Sequence, residues 1–247
     1  MKKFLIIKTG SFIGHADDII EKYGDMDSVF LDADWCPRDR AEVVSVYLDE
    51  KLTNPPTQYS GILITGSGSM MSIPEQWMID TSNWIQKAIV TSVPILGICF
   101  GHQMLAHALG GLVGPNPNGL EAGTVDVYFD TKCNDDPLFF DFPQQAPFHV
   151  HHYESILSLP EGAEILAGND IEKKHVVRFS PYAWGVQFHP ELTVDIMNIL
   201  IDSLADGIKT AGYDMTIIQK EVRETPYGFR LLNRFYNFAE RTGRIKL

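Results

Sequence analysis

Residues 93–111 read VPILGICFGHQMLAHALGG, and this stretch decides the fold. The apolar run VPILGI (93–98) predicts a buried strand, and the glycine-rich stretch after it predicts a helix. Cys99 falls between the two, with Gly97 and Gly101 on either side. A core cysteine needs no glycine beside it, whereas a nucleophile on a sharp strand-to-helix turn does. The pattern therefore predicts a reactive thiol, with a merely buried cysteine as the alternative.

The predicted turn also gives Cys99 surroundings suited to nucleophilic chemistry. The positive end of the helix dipole favours the thiolate over the thiol. The backbone N–H of Phe100 lies in the first turn of the helix and points to where an oxyanion would form. The turn is therefore a candidate nucleophile together with one half of an oxyanion hole.

The segment WGVQFHPEL (184–192) supplies a candidate base for the thiol. A strand-like run ends at His189, and Glu191 follows two residues later. Residues two apart on an extended chain point the same way, so Glu191 can orient one imidazole nitrogen while the other faces the thiol. This is the arrangement of nucleophile, base and orienting acid. A strand-end histidine with a structural role is the alternative.

The segment ITGSGSMMS (64–72) follows a predicted strand and carries Gly66 and Gly68. Glycines let a backbone approach a ligand closely, so this loop is a candidate for the second oxyanion N–H. The loop does not match a nucleotide-binding motif. Met71 stands where G-x-G-x-x-G needs a glycine, and no lysine completes a P-loop.

Short apolar runs alternate with helical patterns over the first half of the chain. Strands are predicted at 4–9, 28–33 and 60–66, and a helix at 75–90. Such alternation predicts an α/β fold, with an open, mostly parallel sheet flanked by helices on both faces.

The middle of the chain changes character. GTVDVYFD (123–130) alternates as antiparallel strands do, and residues 146–168 and 175–191 resemble further short strands. The sheet is therefore predicted to be mixed at this end. An amphipathic helix is predicted at 193–208, with Thr193 as its N-cap.

The C-terminal residues are predicted to form a helical extension (207–247) that packs on a domain spanning residues 1–206. Thr225 and Pro226 predict the start of a helix. Apolar residues recur every three positions along this helix, at Phe229, Leu232, Phe235 and Phe238. This stripe is predicted to pack on the domain, and an interface with a partner is the alternative.

The composition of the 247 residues argues against several classes of function and location. The net charge of −12 argues against nucleic-acid binding, which needs a basic face. Three cysteines without a CxxC spacing predict free thiols in a reducing compartment. No apolar run reaches the roughly 20 residues of a membrane span, and the N-terminus lacks a signal-peptide core. We expect a soluble, cytoplasmic protein without membrane contact.

The combination of GICFGHQMLAHALGG with GVQFHPE resembles the class I, triad-type glutamine amidotransferase family. It is most similar to the glutaminase domain of GMP synthase and its free-standing relatives, over about residues 1–206. The resemblance implies a flavodoxin-like sheet and hydrolysis of the glutamine side-chain amide through a glutamyl thioester, with release of ammonia. It implies that Cys99 is the nucleophile, His189 the base and acid, and Glu191 its orienter.

The resemblance also implies roles for residues around this triad. Gln103 matches the family glutamine that helps to hold substrate. The oxyanion donors implied are the N–H of Phe100 and one N–H of the loop at 66–68, that of Ser67 or of Gly68 beside it. Gly66 is implied to contact the substrate. The wall of the glutamine pocket is implied to contain His152, Tyr153 and Glu154.

Two departures from the family pattern stand out. The oxyanion segment reads Gly-Ser-Gly-Ser-Met (66–70), where many members read Gly-Gly-Pro-x-Ser. No SGGxDS-like ATP-pyrophosphatase loop occurs in the sequence, so any user of the ammonia is expected to be another chain.

His149 and His151 share a strand face, but no carboxylate or cysteine pattern completes a metal site, and no metal or other cofactor is expected.

Three functions compete on these residues. The leading hypothesis is a glutaminase that acts on a small-molecule substrate, glutamine, and whose partner is a synthetase or acceptor subunit. A γ-glutamyl peptidase acting on glutathione-like conjugates would use the same triad, because only the leaving group differs. A non-catalytic regulatory or binding subunit is the third, although it has no need of all three triad residues.

Overall fold

The computed structural model describes residues 2–32 and 35–245, which fold around a nine-stranded sheet. The strand order is β2-β1-β3-β4-β11-β10-β9-β6-β7, and a separate two-stranded sheet pairs β5 with β8. The strands in chain order are β1 (Lys3–Lys8), β2 (Ala41–Ser45), β3 (Tyr59–Ile64), β4 (Ile95–Ile98), β5 (Leu112–Pro115), β6 (Glu121–Phe129), β7 (Gln145–His152), β8 (Glu154–Ser158), β9 (Glu164–Gly168), β10 (Val176–Ser180) and β11 (Ala183–Val186).

The sheet is parallel over five strands and antiparallel over the rest. β2, β1, β3, β4 and β11 run parallel to their neighbours. β10, β9, β6 and β7 continue the sheet as antiparallel strands. The mixed, mostly parallel α/β architecture predicted from the sequence is therefore confirmed.

Helices cover both faces of this sheet. They are α1 (Asp17–Tyr23), α2 (Met26–Asp32), α3 (Gln76–Val90), α4 (Phe100–Ala108), α5 (Val194–Ser203), α6 (Ala205–Thr210), α7 (Met215–Glu221) and α8 (Pro226–Ile245). Alternation along β1 sorts its side chains between the two layers, since successive residues of a strand face opposite ways. Phe4 and Ile6 pack in the layer that contains α8, whereas Leu5 and Ile7 pack in the layer that contains α3 and α4.

One predicted strand is wrong. Residues 26–32 form helix α2, not part of a strand at 28–33, and Ala33 lies outside the described residues. A short apolar run does not by itself distinguish a strand from a buried helix. Here the Asp25 carboxylate accepts a hydrogen bond from the N–H of Met26, the first residue of the helix, at 2.9 Å. The strand position beside β1 is taken by β2 instead.

The helix predicted at 193–208 is present but divided. Thr193 caps α5 by accepting a hydrogen bond from the N–H of Ile196, as predicted. α5 ends at Ser203 and α6 begins at Ala205, with Leu204 between them outside the regular helical conformation.

Helix α8 begins at Pro226, as predicted, and covers the sheet. Leu232 and Phe235 are fully buried, and Phe229 and Phe238 are partly buried against the same core. The boundary at residue 206 between a domain and an extension stays a prediction. In the described part of the chain, no helix combines the length and apolar character needed to cross a membrane.

Candidate active site

The candidate site lies at the carboxyl ends of the central parallel strands, where β4 turns into α4. Cys99 occupies this turn with φ 51°, a backbone conformation that residues other than glycine rarely adopt. The turn is possible because its neighbours are small. A side chain at Gly97 would collide with the backbone of Gly101, and one at Gly101 would collide with the backbone of Ile64. The predicted elbow is therefore present, and Cys99 itself is buried.

The chain after β11 brings His189 and Glu191 to the same end of the sheet. β11 pairs with β4 in parallel, and the N–H of Cys99 donates to the carbonyl of Val186 at 2.8 Å. The N–H of His189 donates to the carbonyl of His149 at 2.8 Å, which fixes the base to strand β7. Nδ1 of His189 lies 2.7 Å from Oε1 of Glu191.

The electrostatics around His189 favour its imidazolium form. Burial alone lowers the pKa of His189, because it penalises the charged ring. The charges of Glu191 and Cys99, and hydrogen bonds to both, outweigh burial and raise the pKa of His189 well above its usual value. The structure therefore brings together the three residues of the predicted triad, with the imidazole between a thiol and a carboxylate.

The loop after β3 lies against this triad. A side chain at Gly66 would come within 3.0 Å of Cε1 of His189 and 3.7 Å of Cβ of Cys99. The carbonyl of Gly66 accepts a hydrogen bond from the hydroxyl of Thr9 at 2.8 Å. No described residue accepts a hydrogen bond from the N–H groups of Phe100, Ser67 or Gly68. These are the N–H groups that the sequence nominates as oxyanion donors.

Two buried glutamines connect to the sulfur of Cys99. Gln103, on α4, donates from Nε2 to the carbonyl of Glu154 at 2.9 Å and to Oε1 of Gln187 at 3.1 Å. Gln187 in turn donates from Nε2 to Sγ of Cys99 at 3.5 Å. Gln103 thus lies one side chain away from the thiol.

The three residues nominated for the substrate wall occupy different surroundings. His152 is buried, with Nε2 2.9 Å from Oε2 of Glu121. The carboxylate of Glu154 is also buried and accepts a hydrogen bond from the N–H of Met71 at 2.6 Å. Tyr153 is 40% exposed, and its ring packs edge-on against that of His151. Of the three, Tyr153 is the one with a side chain open to solvent.

Sequence reasoning missed Gln187, Thr9 and His151. The carbonyl of His151 lies 3.8 Å from Sγ of Cys99. A signal for Gln187 was present in the sequence, because Gln187 precedes His189 by two residues and thus shares its face of an extended chain. Thr9 follows β1 directly, and the ends of neighbouring parallel strands meet at one edge of the sheet.

The other two cysteines lie in different surroundings from Cys99. Cys36 and Cys133 are buried, and burial raises the pKa of each thiol to about 12. All three cysteines are free thiols. Within residues 2–32 and 35–245, no group of three His, Cys, Asp or Glu side chains is placed to hold a metal ion.

The residues of the candidate site lie within a segment that is similar to a known protein family. The family model described as glutamine amidotransferase class-I matches residues 38–205, which contain the elbow, the loop and the His-Pro-Glu segment. The chain is 29% identical over 151 residues to gamma-glutamyl peptidase 5 of Arabidopsis thaliana. It is 40% identical over 111 residues to a glutamine-hydrolyzing GMP synthase subunit of Methanocaldococcus jannaschii.

Neither relative is matched over its whole length. The match covers 60% of this chain and 60% of the peptidase, and 44% of this chain and 57% of the synthase subunit. The chain therefore spans less than two thirds of either curated relative.

Solved structures match the fold over almost the whole chain. A glutamine amidotransferase of Thermotoga maritima has a TM-score of 0.74 at 22% identity and covers 98% of both chains. A glutamine amidotransferase of Methylobacillus flagellatus has a TM-score of 0.70 at 18% identity and covers 98% of this chain and 95% of its own. At these identities the structures show a shared fold.

Proposed function

The chain belongs to the class I glutamine amidotransferase family, and we propose that it hydrolyses a γ-glutamyl amide through a thioester on Cys99, most simply the side-chain amide of glutamine. The observation that carries this proposal is the arrangement of Cys99 on its strained elbow beside the His189–Glu191 pair. That arrangement has the parts that acyl transfer requires, namely a nucleophile, a base and an orienting acid.

The first half-reaction forms the thioester. The thiolate of Cys99 attacks the side-chain carbonyl carbon of the substrate, and a C–S bond forms while the carbonyl oxygen becomes an oxyanion. The imidazolium of His189 then gives its proton to the amide nitrogen, the C–N bond breaks, and ammonia leaves. The raised pKa of His189 supports this step, because it keeps the proton on the ring until the leaving group needs it.

The second half-reaction regenerates the enzyme. Neutral His189 removes a proton from water as the water oxygen attacks the thioester carbon. The C–S bond then breaks, glutamate is released, and the thiolate of Cys99 again faces an imidazolium. Glu191 holds the ring through Nδ1 in both half-reactions, so that Nε2 serves the reacting atoms.

The oxyanion is held by two backbone donors in this proposal. The N–H of Phe100 lies at the start of α4, and the N–H of Ser67, with that of Gly68 beside it, belongs to the loop that packs on His189. Removal of one such donor costs on the order of 10²–10³ in rate. Their lack of partners among the described residues supports the assignment.

Substrate positioning is assigned to residues around this centre. Gln103 keeps the role of helping to hold the substrate, and Gly66 leaves room for it beside Cys99. Tyr153 forms part of the pocket wall, which its exposure supports. His152 and Glu154 contribute by holding that wall in place, since both side chains bond within the fold.

A γ-glutamyl peptidase is the second candidate. The similarity to gamma-glutamyl peptidase 5 of Arabidopsis thaliana favours it. The acyl half of the reaction is identical, and only the leaving group changes from ammonia to the amine of a peptide. In the glutaminase alternative, the ammonia passes to a separate synthetase or acceptor subunit, in line with the similarity to a glutamine-hydrolyzing subunit of GMP synthase.

Assay of the purified chain against glutamine and against glutathione tests the proposal. Ammonia, glutamate and freed dipeptide are measured for the wild type and for Cys99→Ala. Release of ammonia from glutamine by the wild type alone supports the glutaminase, and release of dipeptide from glutathione supports the peptidase. A third outcome is that the wild type cleaves neither substrate faster than Cys99→Ala does, whether or not a synthetase partner is present. That result would refute the glutaminase and the peptidase and would leave a non-catalytic role.

A further inference from the structure

A directed chain of hydrogen bonds ends on the sulfur of Cys99. It begins at the backbone carbonyl of Glu154, passes through Gln103 and Gln187, and reaches Sγ of Cys99 over distances of 2.9, 3.1 and 3.5 Å. Both glutamines are buried, and Gln187 is fully so. The chain approaches the sulfur from the side of α4 and β8, through side chains other than His189.

The backbone carbonyl fixes the direction of every bond in this chain. A carbonyl oxygen only accepts, so the amide atom of Gln103 that faces Glu154 must be Nε2. Nε2 of Gln103 has two hydrogens, and the second is donated to Gln187, so the facing atom of Gln187 must be Oε1. The other end of the Gln187 amide is then Nε2, and it can only donate. Neither glutamine amide can be turned over without placing two acceptors or two donors against each other.

The sulfur is therefore the acceptor in its contact with Gln187, whereas in its 3.8 Å contact with the carbonyl of His151 the Sγ–H group is the donor. A donor that points at Sγ stabilises the thiolate more than the thiol, because hydrogen bonds to charged groups are the stronger ones. The ionisable groups that act at this centre are His189, which interacts with the sulfur, Glu191 behind it, and His149 and His151, which interact with His189. Burial lowers the pKa of His149 and of His151 to about 4, so these rings add no positive charge near neutral pH.

We propose that Gln187 is a hydrogen-bond donor to the thiolate of Cys99 and that Gln103 is the positioning residue that orients it. The catalytic importance of this donor rests on the proposed function, whereas its effect on the sulfur does not. In this arrangement the thiolate is stabilised by two independent groups, the imidazolium of His189 and the neutral amide of Gln187.

Alkylation of Cys99 by iodoacetamide, measured as a rate against pH, tests the proposal directly. The variants are Gln187→Met, which removes the donor at similar volume, and Gln187→Glu, which keeps the shape and supplies a negative charge. Gln86→Met is the control for the substitution itself, because it removes a glutamine donor far from the site, an exposed one that bonds to the backbone carbonyl of Ala108. Mass spectrometry of the alkylated peptide assigns the reaction to Cys99.

We expect the midpoint of the alkylation profile to move up by about one pH unit or more in Gln187→Met. In Gln187→Glu it should move further, and in Gln86→Met it should stay at the wild-type value. An unchanged profile in Gln187→Met overturns the proposal, even if hydrolysis is lost, because the role of Gln187 is then structural. If Gln187→Met does not fold, the same criterion applies to Gln103→Met, which removes the group that orients the Gln187 amide and leaves the charge around Cys99 unchanged.

The outcome is independent of the proposed reaction. If the wild-type chain hydrolyses no γ-glutamyl amide but Gln187→Met still shifts the profile, the proposed function fails and the inference about the sulfur stands. If hydrolysis is present but the profile does not move, the proposed function stands and Gln187 has no part in stabilising the thiolate.

Discussion

The hydroxyl of Thr9 donates a hydrogen bond of 2.8 Å to the carbonyl of Gly66 and also lies 3.0 Å from the carbonyl of Thr65. In a trans peptide the carbonyl and the following N–H point in opposite directions. A carbonyl of Gly66 that is held towards Thr9 therefore directs the N–H of Ser67 away from it. Thr9 thus holds the peptide that we propose as an oxyanion donor in its orientation, together with the hydroxyl of Thr65, which donates to the same carbonyl at 3.1 Å.

Thr9→Val is expected to lower kcat for γ-glutamyl hydrolysis by about tenfold, with an upper limit near 10²–10³ if the donor is lost completely. KM should change little, because the bond acts on the oxyanion and not on the ground-state substrate. Steady-state kinetics measure both constants. Thr9→Ser keeps the hydroxyl and should retain most of the wild-type rate. Equal kcat in Thr9→Val and the wild type would show that the loop keeps its orientation without this bond.

An electrophilic glutamine analogue should label Cys99 and leave Cys36 and Cys133 unmodified. Burial raises the pKa of both other thiols to about 12, so neither forms a thiolate near neutral pH. Peptide mapping of the labelled protein identifies the site. Cys99→Ala should abolish both labelling and hydrolysis while unfolding at the wild-type temperature. Labelling mainly at Cys36 or Cys133 would refute the assignment of the nucleophile.

Glu191→Gln should retain more activity than His189→Ala and should change the pH profile of kcat. An amide can still orient the imidazole, but it cannot stabilise the imidazolium. Among the causes that raise the pKa of His189, the charge of Glu191 is the largest. Loss of that charge lowers the pKa of His189, so the imidazolium that protonates the leaving nitrogen is lost at lower pH. The alkaline limb of the profile should therefore move to lower pH, and an unmoved limb would show that Glu191 acts by another route.

The free energy of unfolding should fall as the pH drops from about 6.5 towards 4. Burial lowers the pKa of His102 to about 3 and of His149 and His151 to about 4. In this range the unfolded chain takes up protons that the folded chain does not, so acid favours unfolding. Each histidine contributes about 1.4 kcal/mol per pH unit.

Urea denaturation at a series of pH values measures this slope. His149→Gln removes one of the three titrating rings and leaves an amide that can still reach the hydroxyl of Thr124, 3.0 Å from Nδ1 in the wild type. The free energy of unfolding of this variant should fall less steeply with decreasing pH than that of the wild type, because one histidine fewer takes up a proton on unfolding. An identical slope would indicate that His149 is protonated equally in the folded and unfolded states.

The features that sequence predicted well are local. The elbow at Cys99 follows from glycines two residues away on either side, and the His189–Glu191 pair follows from a spacing of two residues. Neither prediction depends on distant parts of the chain. The strand prediction at 28–33 was wrong because an apolar run of this length suits a strand or a buried helix, and here Phe30 and Leu31 pack in the core from helix α2.

The features that sequence did not predict are contacts between distant segments. Glu154 bonds to the loop at Met71, 83 positions away in the sequence, and Gln187 bonds to Cys99, 88 positions away. The residue types are ordinary, and only the order of strands in the sheet brings them together. Knowledge of that order would have nominated Thr9 and Gln187, since both follow the carboxyl ends of strands near the elbow.

The contact between Phe4 and Phe235 has a consequence for the order in which the chain can fold during synthesis. The two rings meet edge to face with centroids 5.9 Å apart, so β1 is covered by a helix that is translated more than 200 residues later. Until α8 leaves the ribosome, this apolar layer is covered in part only, by early residues such as Phe30 and Trp35. A loop of this length closes slowly, and exposed apolar strands favour aggregation. The core is therefore completed only after synthesis of α8, which covers an aromatic residue of the first strand.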